Sequence, residues 1–131
     1  MAITQNRIIS IVIIFLIISV ANGCYNDSFL AINEVEISDQ VSFNNDIIPI
    51  FNKDCNTSGC HNTGGQKPDL SPSRAYLSLT NGNYIDKENP ENSEIYQWMK
   101  GNRAVPMPLS GSVSKYNALI LAWIKQGALE N

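Results

Sequence analysis

Cys55-Asn56-Thr57-Ser58-Gly59-Cys60-His61 packs the single histidine of the chain and two of its three cysteines into seven residues. Whatever chemistry this stretch carries decides what the fold is built around, and three familiar chemistries can be weighed at once. Tetrahedral zinc takes four ligands, so two Cys and one His leave it short, with no other Cys or His available. A thiol redox pair normally uses Cys-x-x-Cys at a helix start and has no use for an adjacent His. A plain disulfide asks less, because Cys-x4-Cys can close in an oxidising compartment and leave His61 as a surface residue.

Covalent haem attachment is the fourth reading. Two thiols take up the two vinyl groups, and a His directly after the second reaches the iron; the common spacing is Cys-x-x-Cys-His. Here the spacer is two residues longer, but the Cys60-His61 adjacency that presents the imidazole is intact. The extra residues can bulge outward, helped by Gly59.

Outward from the motif the punctuation is helical. Ser42 or Asn45 can cap a short helix through Ile47, Ile48, Ile50 and Phe51, with Pro49 tolerated only in its first turn. Thr57 to Leu70 reads as a loop, with Gly59, Gly64, Gly65 and Pro68. Ser71-Pro72 offers a cap and a first-turn proline for a helix through Ala75, Tyr76 and Leu79, ended by Asn81-Gly82-Asn83. A third helix is predicted from near Ser93 through Ile95, Tyr96, Trp98 and Met99 to a stop at Gly101. Val105-Pro106-Met107-Pro108-Leu109 cannot be helix interior, since each proline removes a donor and restricts its predecessor. Tyr116, Leu119, Ile120, Trp123 and Ile124 form a core-facing stripe at helical spacing that ends at Gly127. Four short helices with long loops bury little by themselves, which suggests a non-protein group at the centre.

From about Val41 to Gln126 the chain resembles the small single-haem cytochrome c domains, especially the stand-alone lipoprotein forms of bacteria. The resemblance rests on Asp46-Ile47-Ile48-Pro49-Ile50-Phe51, Gly59-Cys60-His61, Met107-Pro108 and the terminal amphipathic helix. Longer spacers between the two thiols are similar to those of some bacterial c-type cytochromes. The resemblance implies a mainly α, cytochrome c-like fold of about four short helices and long loops around one covalent haem c. It also implies that the first and last helices cross beside the haem, held through Cys55 and Cys60. His61 would ligate the iron on one side, and a downstream loop would supply the second axial ligand. Met107 suits that role because Pro106 and Pro108 hold its loop extended and stiff. Met99 is the rival thioether, but it lies on the apolar side of a predicted helix, where Met is usually core filler. Two further roles follow from the resemblance: the Pro68 carbonyl accepts the imidazole N–H, and Leu70 packs on the His side of the haem.

Ile8 to Val20 is apolar apart from Ser10 and Ser19 and follows Arg7. Its 13 residues fall short of the ~20 that span a bilayer but suit the apolar region of a secretory signal. Val20-Ala21-Asn22-Gly23-Cys24 resembles the lipobox of bacterial lipoproteins, where the Cys is diacylated and becomes the new N-terminus, although Asn22 stands where a small or branched residue is usual. Ordinary cleavage would leave Cys24 a free thiol, whereas lipidation accounts for the odd cysteine and holds the domain on a membrane. Tyr25 to Gln40 is acidic, with Asp27, Glu34, Glu36 and Asp39, and reads as a tether with one short extended stretch around Ala31–Ile37. The expected division is therefore a signal peptide over 1–23, a tether over 24–40 after lipidated Cys24, and a domain over 41–131.

Without the signal, 108 residues remain, with 8 basic against 12 acidic side chains and a formal charge of −4. No Lys/Arg cluster offers an electrostatic footprint for nucleic acid, and one small core leaves no room for a large multi-step enzyme. An iron ligated by His and Met has no open position for a small-molecule substrate, which favours electron transfer over catalysis. The acidic balance, with two propionates added, fits a redox protein partner bearing a basic docking patch, met at a lipid-anchored site facing the periplasm. Asp54 and Lys53 read as solvated flank. Trp98 and Tyr96 read as core, with a propionate contact as the alternative. Two other classes stay open. If Met107 does not bind, a five-coordinate haem would suit a sensor or weak peroxidase. If Cys55 and Cys60 pair, the protein is a disulfide-stapled lipoprotein acting as an interaction module. A two-haem peroxidase is excluded by the single Cys-His pair.

Overall fold

The computed structural model describes residues 37–131. The expected signal peptide, Cys24 and the tether up to residue 36 lie outside the described residues. Among the described residues the fold is mainly helical and has no strand. A π-helical turn, Phe43–Ile47, runs directly into α1 (Ile48–Asp54). It is followed by α2 (Ala75–Asn81), a 3-10 turn (Pro90–Asn92), α3 (Glu94–Lys100) and α4 (Ser114–Lys125). No helix among the described residues is long and apolar enough to cross a membrane.

The start of the first helix is capped from both directions. Ser42 Oγ accepts the Asn45 N–H at 3.2 Å, while the Ser42 N–H donates to the Asp46 carboxylate at 2.8 Å. Such reciprocal capping satisfies donors that a helix start leaves orphaned. The expected regular first turn is replaced by a wider one, in which the Ile48 N–H donates to the Phe43 carbonyl five residues back. Pro49 gives the physical reason: its ring presses on the carbonyl four residues earlier in a regular α-turn, and it has no N–H to donate.

Phe43, from that widened turn, sits at the centre of the core. Its ring meets Trp123 at 5.0 Å, Tyr76 at 5.5 Å and Phe51 at 6.4 Å between centroids. Ile47, Ala75, Leu79, Ile120, Trp123, Ile124 and Ala128 are buried around it. On α4 the expected stripe divides: Ile120, Trp123 and Ile124 are buried, while Tyr116 and Leu119 are half-buried at the core margin. Aromatic and aliphatic side chains thus form one core cluster at this point of the fold.

The two ends of the described chain close on each other. Val41 N–H donates to Gln126 Oε1, Phe43 N–H to Asn131 Oδ1, and Asn44 N–H to the Asn131 carbonyl, at 2.8, 2.8 and 2.9 Å. Ile37 packs against the core and Gln126 Nε2 donates to the Asp39 carbonyl. Contacts of the domain therefore reach a few residues upstream of Val41.

Two helix starts differ from expectation. α2 opens at Ala75, and the Ser71 oxygen that could cap the preceding turn instead accepts from Thr63 while its proton goes to Asp69. Ser93 precedes α3 without a capping bond, since its hydroxyl accepts the Asp86 N–H and donates to the Asp86 carbonyl. α3 ends where expected, with Gly101 in the left-handed conformation at φ 86° that terminates helices at little cost.

Candidate functional site

α1 delivers the first thiol. Its last turn closes through the Cys55 and Asn56 N–H groups, both donating to the Phe51 carbonyl at 3.0 and 2.8 Å, which leaves Cys55 only 9% exposed. Burial, reinforced by the charge of neighbouring Asp54 and then by Cys60, pushes the Cys55 thiol from 9.0 up to about 12. Cys60 is half-buried, and the two thiols are not bridged.

Between them Thr57, Ser58 and Gly59 lie exposed, and Gly59 takes φ 80° with nothing near its missing side chain. The spacer is therefore an outward bulge. Its ends are drawn together by the His61 N–H, which donates to the Cys55 carbonyl at 3.1 Å, and by Cys60 N–H to Thr57 at 2.9 Å. Gly65 folds back just beyond, where the Gln66 N–H donates to the Cys60 carbonyl at 2.7 Å. A Cβ at Gly65 would stand 2.2 Å from that carbonyl oxygen, so the close return requires glycine.

His61 is held twice. Its carbonyl accepts the Leu70 N–H at 2.7 Å, and its Nδ1 lies 3.0 Å from the Pro68 carbonyl oxygen. A carbonyl can only accept, so Nδ1 carries the proton, and in the neutral imidazole Nε2 then keeps its lone pair. This is the arrangement by which a second partner orients an imidazole that ligates metal through its other nitrogen. Asn56 Nδ2 ties the Leu70 carbonyl back to the spacer at 3.3 Å. Cys55, Cys60, His61, Pro68 and Leu70 thus belong to one hydrogen-bonded loop system, with Pro68 and Leu70 buried.

Met107 belongs to a second loop, anchored on α3 by its N–H, which donates to the Trp98 carbonyl at 3.3 Å. The same helix holds the loop's start, because the Glu94 carboxylate accepts from Arg103 and from the Trp98 indole N–H at 2.7 Å. That indole donor is committed to Glu94, which removes it from the expected alternative of a propionate contact. Met107 is half-buried, while its neighbours Val105 and Leu109 stand 43% and 68% exposed. An apolar loop presenting a thioether between exposed aliphatic side chains leaves surface for a further apolar group to cover. Met99, by contrast, is 4% exposed and packs into the core from α3 with Ile95 and Tyr96.

Asp54 and Lys53 do more than flank the motif. Tyr116 on α4 donates to Asp54 at 2.8 Å and accepts from Lys53 at 3.2 Å, fastening the end of α1 beside Cys55 to the last helix. Asn56 and Asp69 are the other residues of the site that sequence reading passed over. Pro68-Asp69-Leu70-Ser71 does contain a signal for the latter, since an Asp two residues before a Ser can accept its backbone N–H in an Asx turn.

The donor set suits haem better than a protein-built metal ion site. Among the described residues no three His, Cys, Asp or Glu side chains converge to hold a metal. The available groups are one imidazole with a free Nε2, two unbridged thiols and a loop thioether. No family model, curated protein or solved structure matches the chain.

Proposed function

We propose that the chain is a single-haem c-type electron carrier with a cytochrome c-like fold, exported and held on a bacterial membrane through lipidated Cys24. The observation that carries this reading is the His61 Nδ1–H donating to the Pro68 carbonyl at 3.0 Å, one residue after an unbridged thiol. It prepares Nε2 for iron in the residue order that covalent haem attachment uses. Packing of the π turn against α4, centred on Phe43 and Trp123, supports the fold assignment.

Cys55 and Cys60 would hold the macrocycle, and His61 and Met107 the iron. Each thiol would hold the group through a thioether, its sulfur joined to one vinyl carbon and its hydrogen passed to the other, with no net oxidation. The product is an uncharged thioether. That suits Cys55, where burial and Asp54 oppose the thiolate that zinc would demand. When bound, the haem supplies a one-electron ferric–ferrous couple, the chemistry being the cofactor's own. Pro68 orients the imidazole and strengthens it as a donor. Met107 would supply the second iron ligand, closing the site to substrate and favouring a raised potential. The acidic surface directs the protein to a redox partner with a basic patch.

Absorption spectra of protein matured in a host with c-type biogenesis test the proposal. A haem band with a methionine–iron charge-transfer feature is expected. A high-spin ferric spectrum would move the chain to the sensor or peroxidase class, and the absence of haem would leave an interaction module.

A further inference from the structure

The carbonyl that holds His61 is itself held, through the N–H of the same peptide, which belongs to Asp69 and is bonded to α2. Asp69 is 7% exposed, one of two polar residues buried in the described fold. Its Oδ1 accepts twice from Ser71, from the N–H at 3.0 Å and from the hydroxyl at 2.6 Å. Its own N–H donates to Ser78 Oγ on α2 at 2.8 Å. Thr63, two residues after His61, donates its hydroxyl to Ser71 Oγ at 3.1 Å and closes the ring of contacts. The peptide that carries the Pro68 carbonyl is the one whose nitrogen belongs to Asp69. Fixing that N–H on α2 therefore fixes the plane, and with it the direction of the carbonyl oxygen.

We infer that Asp69 is a positioning residue: its carboxylate, through Ser71 and Thr63, holds the turn that presents the Asp69 N–H to Ser78, and that bond aims the Pro68 carbonyl at His61 Nδ1 and so sets the donor strength of the imidazole. This inference rests on the haem reading of the site. The carboxylate is used as a geometric acceptor: Oδ1 takes both bonds, and an amide oxygen in the same place would take them equally. Ser71 also keeps the Asp69 carboxyl below its ordinary range, so the acceptor is present at neutral pH. A buried carboxylate oxygen that accepts two hydrogen bonds rigidifies the turn that makes them. Placed on the backbone that touches the imidazole, that rigidity reaches the iron ligand.

The experiment compares Asp69→Ala, Asp69→Asn and Ser78→Ala in the full haem-loaded chain, reduced so that the His61 ring N–H is visible by NMR. In Asp69→Ala the Nδ1–H should exchange with solvent about tenfold faster, the factor equal to the ~1.4 kcal/mol of one net hydrogen bond. The reduction potential should rise, because an imidazole that loses its acceptor donates less to iron. Asp69→Asn should restore both readings to wild type, and Ser78→Ala should move both in the same direction as Asp69→Ala. Unchanged exchange and potential in Asp69→Ala, or failure of the Asn variant to restore them, overturns the inference. If Asp69→Ala does not fold, Ser78→Ala decides alone, and wild-type readings in it count against the clamp. Wild-type protein without covalent haem overturns the proposed function instead, a result distinct from haem-loaded protein whose His61 ignores Asp69.

Discussion

Replacing Met99 and Met107 by Leu, one at a time, separates packing from ligation. Met99 is 4% exposed among the core side chains of α3, so a swap that nearly conserves volume costs under ~1.5 kcal/mol. Truncation to Ala at the same site opens a cavity and costs ~2–5 kcal/mol. Met107 is half-buried on a loop tied to α3 by its backbone N–H. Leu there should change the stability of the haem-free chain by no more than ~0.5 kcal/mol, as expected away from the core. The spectrum should rank the two in the opposite order. Met107→Leu removes the sulfur, abolishes the methionine–iron charge-transfer band, lowers the potential if a harder ligand enters, and lets carbon monoxide bind the ferrous form. Met99→Leu keeps the band. Urea unfolding of the haem-free chain and absorption spectra of the ferric loaded chain measure both quantities. If Met107→Leu keeps the band while Met99→Leu loses it, the axial assignment is reversed. If neither variant alters the spectrum, methionine ligation is wrong.

Phe43→Ala should cost ~3–5 kcal/mol, as for other large aromatic truncations, because the ring is 1% exposed and meets three aromatic neighbours; a loss below 1 kcal/mol in denaturant titration would remove it from the centre of the core. Arg103, and then the Trp98 indole, hold the Glu94 carboxyl below its ordinary 4.5. A depressed folded pKa stabilises fully above the unfolded value and is lost as pH falls through the folded one, so this contribution should persist at neutral pH and fade below about pH 4.5. In Arg103→Ala that acid-side decline should flatten, measured by unfolding at a series of pH values; an unchanged decline would assign it to other groups. Cys24→Ser should release the domain from membranes or leave an unprocessed precursor with its haem content intact, and a mature wild-type chain carrying no lipid by mass spectrometry would remove the anchor.

Helix existence and order were legible in the sequence because periodic apolar residues and their stops acted together. Tyr116, Ile120, Trp123 and Ile124 with Gly127 define α4, and Ile95 and Met99 with Gly101 define α3. Local competition was not legible. Ser71 and Ser93 look like caps, but Ser71 spends its hydroxyl on Thr63 and on the nearby Asp69, and Ser93 spends its hydroxyl on the Asp86 backbone. The widened first turn was hidden because whether Pro49 falls in the first turn or beyond it depends on which of Ser42 and Asn45 caps the helix, and the structure uses Ser42. At the site, the adjacency of Cys60 and His61 was readable from spacing, while the role of Pro68 followed only from the resemblance to single-haem c-type domains. The roles of Asn56, Asp69 and Tyr116 were not, because each acts on a residue separated from it by a fold of the chain: Asn56 on Leu70, Asp69 through Ser78, and Tyr116 on Asp54.

The central claim is that Cys55 and Cys60 carry a haem, and the direct measurement is acid–acetone extraction followed by mass spectrometry of the polypeptide. Protein matured with c-type biogenesis should keep its haem through extraction and denaturing electrophoresis. Its mass should rise by one haem, with both thiols blocked to alkylation, and Cys60→Ala should largely abolish this. Haem that extracts freely from wild-type protein, or a peptide in which Cys55 and Cys60 are joined to each other, would contradict it.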